Sequence, residues 1–138
     1  MEKTVYFLIS HNEFAKGLKK ALEMIAGEQS NVYAFGLMPG DHPDNIVKKM
    51  EHCMTDDIDH VVILGDLAGG SVCNAALKLT VNPKVTLIAG VNLPLAMEII
   101  IAKANTPATI SPILEQAKNE MKMITVQQLK AETMEDFF

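Results

Sequence analysis

The chain has 138 residues and a formal net charge of −5 at neutral pH, which predicts one domain and argues against a nucleic-acid partner. Hydrophobic residues make up 49% of it, yet no apolar run is long enough to span a membrane. The N-terminus has too short an apolar run for a signal peptide, so we expect a cytoplasmic protein. Cys53 and Cys73 lack metal-site spacing and are interpreted as small buried hydrophobes, and neither a metal nor a cofactor is expected.

Strand and helix patterns alternate along the first half of the chain. Residues 4–10 and 31–37 have the composition of strands, and apolar residues recur at three- and four-residue steps over 14–25 and 43–54, as in helices. Asn12 is a candidate cap for the first helix, and Gly27 is a candidate for its end.

The second half continues the alternation. A continuous apolar run at 61–64 predicts a strand buried on both faces, followed by a helix at 70–80, a strand at 85–89 and a helix at 95–102. Thr109 or Ser111 is a possible cap for a last helix that extends to about Met121. Residues 122–126 have a weak strand pattern, and residues 127–138 are predicted to be a tail.

Four strand–helix alternations with short connections predict a single doubly wound α/β domain over residues 1–138, with helices on both faces of a sheet. In the flavodoxin-like version of this fold the strand order is 2-1-3-4, and a crevice opens between the ends of the first and third strands. His11 ends the first predicted strand and Asp66 follows the third, so these two residues are expected to face one crevice.

This pairing has a chemical use. A carboxylate that accepts the N–H of an imidazole fixes its tautomer, leaves the other ring nitrogen as a nucleophile, and stabilises positive charge on the ring. Backbone N–H groups near Asn12 and at Gly69, Gly70 and Ser71 suit a tetrahedral anion, and the Ser71 hydroxyl adds a hydrogen bond. Together these residues predict phosphoryl transfer through phosphohistidine. A structural His11 and an ordinary βα turn capped by Asp66 are the alternatives.

Several motifs occur in order along residues 4–126: the early histidine, Gly-Glu-Gln at 27–29, Asp-Leu-Ala-Gly-Gly-Ser at 66–71, Asn-Ala-Ala at 74–76 and Ala-Gly-Val-Asn-Leu-Pro at 89–94. With them the chain resembles the IIA component of the mannose-type sugar phosphotransferase system, the group that serves mannose, fructose, sorbose and N-acetylgalactosamine.

The resemblance implies that His11 accepts a phosphoryl group from the phosphocarrier protein HPr and passes it to a IIB component, which serves the membrane components IIC and IID. Asp66 would orient His11, and Ser71 matches the serine of the family's phosphoryl-binding turn. The family sheet has four parallel strands and a C-terminal antiparallel edge strand, which is exchanged between the subunits of a homodimer. Residues 122–126 are the candidate for that strand.

Some positions depart from the family pattern. Asn12 and Glu13 stand where small and aromatic residues are usual, Ala68 where an aromatic is common, and Val72 where proline is usual. Since these positions rim the crevice, the partner contacts are expected to differ. The chain carries no fused IIB domain, so IIB is expected on a separate polypeptide. A regulatory module that is phosphorylated but passes nothing to sugar is the main alternative, and a relative serving dihydroxyacetone kinase is a third.

Overall fold

The computed structural model describes residues 2–127, so residues 128–138, most of the predicted tail, lie outside the described part. Two short 3₁₀ turns, Leu77–Val81 and Lys118–Glu120, accompany the regular elements. In chain order these are β1 (Thr4–His11), α1 (Phe14–Ala26), β2 (Val32–Leu37), α2 (Pro43–Cys53), β3 (His60–Gly65), α3 (Ser71–Ala76), β4 (Val85–Ala89), α4 (Leu93–Ile101) and α5 (Pro107–Ala117).

The four strands form one parallel sheet in the order β2-β1-β3-β4, which confirms the predicted strand direction and order. Ile9 of β1 lies opposite Gly65 of β3, and Gly65 lies opposite Ala89 of β4. The carboxyl ends of the central strands therefore reach the same edge of the sheet, where a doubly wound fold has its crevice.

Helices cover both faces of the sheet, as the continuous apolar strands require. One core packs Tyr6 and Leu8 of β1 against α1, α4 and α5. The other packs Phe7 and Ile9 of the same strand against α2 and α3. Alternate residues of one strand thus enter opposite cores, and β1 is fixed from both sides.

Several helix ends differ from the sequence-based predictions: the helix predicted over 70–80 ends at Ala76 and continues as a 3₁₀ turn, and α4 begins at Leu93 rather than at 95. Glu13, not Asn12, is the N-cap of α1 and makes no side-chain capping bond, whereas Gly27 ends the helix as predicted. The last helix starts at Pro107, so the predicted caps Thr109 and Ser111 are wrong. Its cap is Thr106, whose extended backbone allows its hydroxyl to accept the N–H of Thr109.

The segment after α5 also differs from expectation. Met121 is 73% exposed and lies beyond the helix, and residues 121–125 have no regular structure. The predicted strand at 122–126 is therefore not seen in the described chain, where the sheet has four strands. In the part of the chain that the structure describes, no helix is long and apolar enough to cross a membrane.

Candidate active site

The carboxyl ends of β1 and β3 bring together the histidine and the aspartate that the sequence singled out. His11 is the last residue of β1, and Asp66 comes directly after β3. The Asp66 N–H donates to the carbonyl of Ile9 at 3.2 Å, which extends the parallel pairing of the two strands by one residue. The predicted proximity of the two side chains is thus observed.

One carboxylate oxygen makes both contacts between these residues. Asp66 Oδ2 accepts the backbone N–H of His11 at 2.8 Å and lies 2.9 Å from His11 Nδ1. Since a carboxylate only accepts hydrogen bonds, this geometry favours the tautomer with the proton on Nδ1 and the lone pair on Nε2. The Asp66 side chain is 15% exposed and that of His11 is 45% exposed, so the ring faces solvent and the carboxylate lies behind it.

The second carboxylate oxygen has a different environment. Asp66 Oδ1 is buried and has no hydrogen-bond partner among residues 2–127. Within the described chain, the hydrogen bonding of this carboxylate is therefore directed to His11 alone. A buried acceptor without a partner carries a desolvation cost, which is common at sites where the polar group has a chemical role.

The glycine-rich turn after Asp66 packs against the imidazole. Gly69 has a φ of 77°, a left-handed conformation that glycine adopts without strain. A Cβ at Gly70 would lie 3.3 Å from His11 Cε1, so the absence of a side chain there allows the turn to approach the ring closely. The Ser71 hydroxyl lies 3.3 Å from His11 Nε2, within hydrogen-bonding distance of the lone pair.

The backbone donors of this turn are only partly free. The Gly70 N–H donates to the carbonyl of Leu67 at 3.2 Å and so closes the turn. The first N–H groups of a helix have no partner inside the helix, and here they begin with Ser71. Of the donors predicted at Gly69, Gly70 and Ser71, the Gly70 N–H is thus used within the turn. The N–H groups left for an anion are mainly those at the start of α3.

The backbone of Asn12 is held against β2. Its φ is 52°, its N–H donates to the carbonyl of Leu37 at 2.8 Å, and a Cβ at Gly36 would lie only 1.9 Å from its carbonyl oxygen. The Asn12 N–H is thus used in holding the loop to β2, although the sequence suggested it as an anion donor.

Ser10 has the capping role that the sequence assigned to Asn12. Its hydroxyl is fully buried and accepts the N–H of Ala15 at 2.7 Å, inside the first turn of α1. The signal was a single polar residue at the end of an otherwise apolar strand, directly before His11. This bond fixes the position of α1 relative to the end of β1.

Cys73 lies behind the site rather than in it. Its side chain is buried, and a Cβ at Gly65 would lie 2.3 Å from its sulfur, so α3 packs closely on the end of β3. Burial raises the pKa of the Cys73 thiol, which agrees with its interpretation as a small buried hydrophobe. Among the described residues, no group of three His, Cys, Asp or Glu side chains is placed to hold a metal ion.

Comparison with known proteins matches the chain to a family. The family described as the fructose IIA component of the phosphotransferase system (PTS) matches residues 6–118. The mannose-specific EIIAB component of Escherichia coli K12 is 33% identical over 102 residues, which are 72% of this chain and 32% of that protein. The sorbose-specific EIIA component of Lacticaseibacillus casei is 28% identical over 137 residues, which are 95% and 97% of the two chains.

A solved structure agrees with these matches. The IIA protein associated with the fucose utilization operon of Streptococcus pneumoniae has a TM-score of 0.76 and 29% identity, with 92% of this chain and 96% of that chain covered. The chain spans about a third of the length of the E. coli relative and nearly the whole length of the other two proteins. The chain therefore belongs to the mannose-type IIA family of the sugar phosphotransferase system.

Proposed function

We propose that the chain is a cytoplasmic phosphohistidine carrier, which accepts a phosphoryl group from HPr on His11 and passes it to a IIB component. The observation that carries this proposal is the double contact of Asp66 Oδ2 with the backbone N–H and the Nδ1 of His11, at 2.8 and 2.9 Å. This contact supports the proposed role of His11 Nε2 as a nucleophile that faces solvent. Membership of the family supports the same chemistry.

The proposed step balances without a cofactor. The lone pair on His11 Nε2 attacks the phosphorus of the donor's phosphohistidine. As the new N–P bond forms, the donor's N–P bond breaks, and its electron pair stays on the donor's ring nitrogen. His11 keeps its Nδ1 proton and becomes positively charged, and the Asp66 carboxylate at 2.9 Å stabilises that charge.

The phosphoryl oxygens need donors of their own. The Ser71 hydroxyl, 3.3 Å from Nε2, is placed to rotate from the lone pair to a phosphoryl oxygen once the lone pair forms the bond to phosphorus. The N–H groups that open α3 lie beside it. Transfer to IIB is the same displacement in the opposite sense, with His11 as the leaving group.

We also infer that the chain forms a homodimer in which residues 122–126 add an antiparallel strand to the partner's sheet. Met121, Met123, Ile124 and Val126 are 58 to 85% exposed in the single chain, which is unusual for four large apolar side chains in one short segment. A sheet edge of the partner would cover them and gain backbone hydrogen bonds. Light scattering should give a dimer for the full chain and a monomer for a chain that ends at Glu120.

The carrier proposal is tested by intact-protein mass after incubation with phosphoenolpyruvate, Enzyme I and HPr. Wild type should gain one acid-labile phosphoryl group, and His11→Ala should gain none. His42→Ala provides a matched control because His42 is exposed and caps α2 far along the chain, so it should gain the group as wild type does. Absence of the group from wild type would contradict the proposal, and a phosphorylated chain that transfers to no IIB protein would favour the regulatory alternative.

A further inference from the structure

A shallow groove of about 400 Å³ lies between β2 and α2, on residues that the proposed phosphoryl transfer does not use. Its surface is mainly apolar, although three of its lining side chains carry basic groups. The lining residues are Tyr33, Phe35, Lys48, Lys49, His52 and Cys53.

The floor of the groove is aromatic. Tyr33 and Phe35 project from the same face of β2 and stack with their ring centres 6.5 Å apart and an interplanar angle of 13°. Phe7 of the neighbouring strand is fully buried and contacts both rings, at 5.9 and 6.0 Å. Tyr33 is nevertheless 39% exposed, so this aromatic stack is open to solvent at one end.

The rim of the groove is cationic. Lys48 and Lys49 are exposed on α2, and His52 follows Lys48 one helical turn later. Neither lysine lies within 4.0 Å of a carboxylate among the described residues, whereas Lys3, Lys78 and Lys118 all do. In a protein with a net charge of −5, this is a basic surface, and the electrostatic interaction of Lys49 with Asp41 acts over more than salt-bridge distance.

We propose that the C-terminal segment of this chain, residues 131–138, docks in this groove. Its sequence is Ala-Glu-Thr-Met-Glu-Asp-Phe-Phe, which places two carboxylates directly before two adjacent phenylalanines and a third carboxylate at Glu132. The carboxylates complement Lys48 and Lys49 on the rim, and the phenyl rings complement the Tyr33–Phe35 floor. The groove and the segment thus match in charge and in aromatic character.

The length of chain is sufficient for this contact. About ten residues separate the last described residue from Phe137, and an extended chain covers about 33 Å over that number. A domain of this size has a radius of gyration of about 14 Å. The extended linking chain is therefore more than twice as long as that radius.

Cys53 supplies a reporter inside the groove. Its thiol is half-buried and lines the groove, and burial raises its pKa, whereas Cys73 is buried against the end of β3. The experiment measures the rate of iodoacetamide alkylation at each cysteine by peptide mass spectrometry, in the full chain and in a chain that lacks residues 128–138. We expect alkylation of Cys53 to be several-fold faster in the shortened chain, with no change at Cys73.

Substitutions then distinguish specific docking of residues 131–138 from nonspecific shielding of Cys53 by the tail. Phe137→Ala with Phe138→Ala in the full chain should accelerate Cys53 alkylation as much as the deletion does. Lys48→Gln with Lys49→Gln should bring the ratio of the shortened-chain rate to the full-chain rate close to one. The matched pair Lys16→Gln with Lys20→Gln, exposed on α1, should leave this ratio at its wild-type value.

The proposal is overturned by equal Cys53 rates in the full and shortened chains. It is also overturned if the deletion deprotects Cys53 but neither the phenylalanine nor the lysine pair does, because the tail would then shield without binding. Protection that survives the deletion and increases with protein concentration would assign the groove to a second copy instead. Faster alkylation of Cys73 in a variant would show that its fold has loosened. The full chain with only Phe138→Ala is then measured instead, and an unchanged Cys53 rate in that folded variant would overturn the proposal.

Discussion

Replacing Asp66 with asparagine removes one negative charge and leaves the size of the side chain almost unchanged. The amide oxygen can still accept the backbone N–H of His11, now 2.8 Å from Asp66 Oδ2, so the loop and the fold should persist. The charge that faces the ring is lost. The variant therefore isolates the electrostatic part of the proposed role of Asp66.

The size of the effect follows from the geometry. In the phosphorylated state, unit charges 2.9 Å apart interact by about 1.4 kcal/mol at the dielectric constant of water and by about 6 kcal/mol at an effective value of about 20. Because the His11 side chain is 45% exposed, solvent screening places the expected loss toward the lower end. A loss of about 1.4 to 2.8 kcal/mol corresponds to a rate of phosphoryl transfer about 10- to 100-fold lower.

The assay is a single-turnover rapid-quench measurement with phosphorylated HPr as the donor, under identical conditions for wild type and Asp66→Asn. Thermal unfolding of both proteins provides the control, and their melting temperatures should agree closely if the fold persists. A variant rate within about twofold of wild type would correspond to less than about 0.5 kcal/mol. That result would refute the assignment of charge stabilisation to Asp66.

Three further changes test the stability of the fold. Gly36→Ala would place a Cβ 1.9 Å from the carbonyl oxygen of Asn12, so we expect the free energy of unfolding to fall by about 3 kcal/mol in urea denaturation. Gly17→Ala, at a position in α1 with nothing within 4 Å of the new Cβ, should raise it by about 0.5 to 1 kcal/mol in the same assay. The hydrogen bond from Lys3 is the main cause that lowers the pKa of Asp57 from 3.8 to about 2, so its stabilising effect is complete above pH 3.8 and is lost as the pH falls through about 2. Lys3→Met lacks this contribution at every pH, so its melting temperature should fall less steeply than that of wild type between about pH 4 and pH 2. An unchanged dependence of melting temperature on pH would contradict the role given to the Lys3–Asp57 pair.

Much of the fold could be predicted because its elements have strong local patterns. The apolar run in β3 is buried on both faces, as a central parallel strand requires, and alternation with helices indicated the strand order. The start of α5 was missed because its cap was sought after Pro107, at Thr109 or Ser111, rather than before it. Proline at the first position of a helix in fact favours its start, and Thr106 makes a complete capping box with Thr109.

The site was predictable in position and not in detail. His11 ends β1 and Asp66 directly follows β3, and neighbouring parallel strands bring such ends together whatever the conformation of the loops. The conformation of the loop between β1 and α1 depends on Gly36, which is distant in sequence and allows the close approach of the Asn12 carbonyl. Local sequence therefore favoured Asn12 as the cap, whereas in the structure the Asn12 N–H donates to Leu37 of β2 and the Ser10 hydroxyl accepts the N–H of Ala15.

The two hydrogen bonds of Asp66 Oδ2 end on the same residue, one on the backbone and one on the ring of His11. Together the two bonds hold His11 to one oxygen atom at two points, and they restrict both χ angles of the histidine in the resting protein. The loss of rotamer entropy is thus part of the folding free energy and does not recur at each encounter with a donor. In the proposed reaction neither bond has to form or break, so the imidazole has the same orientation before and after it receives the phosphoryl group.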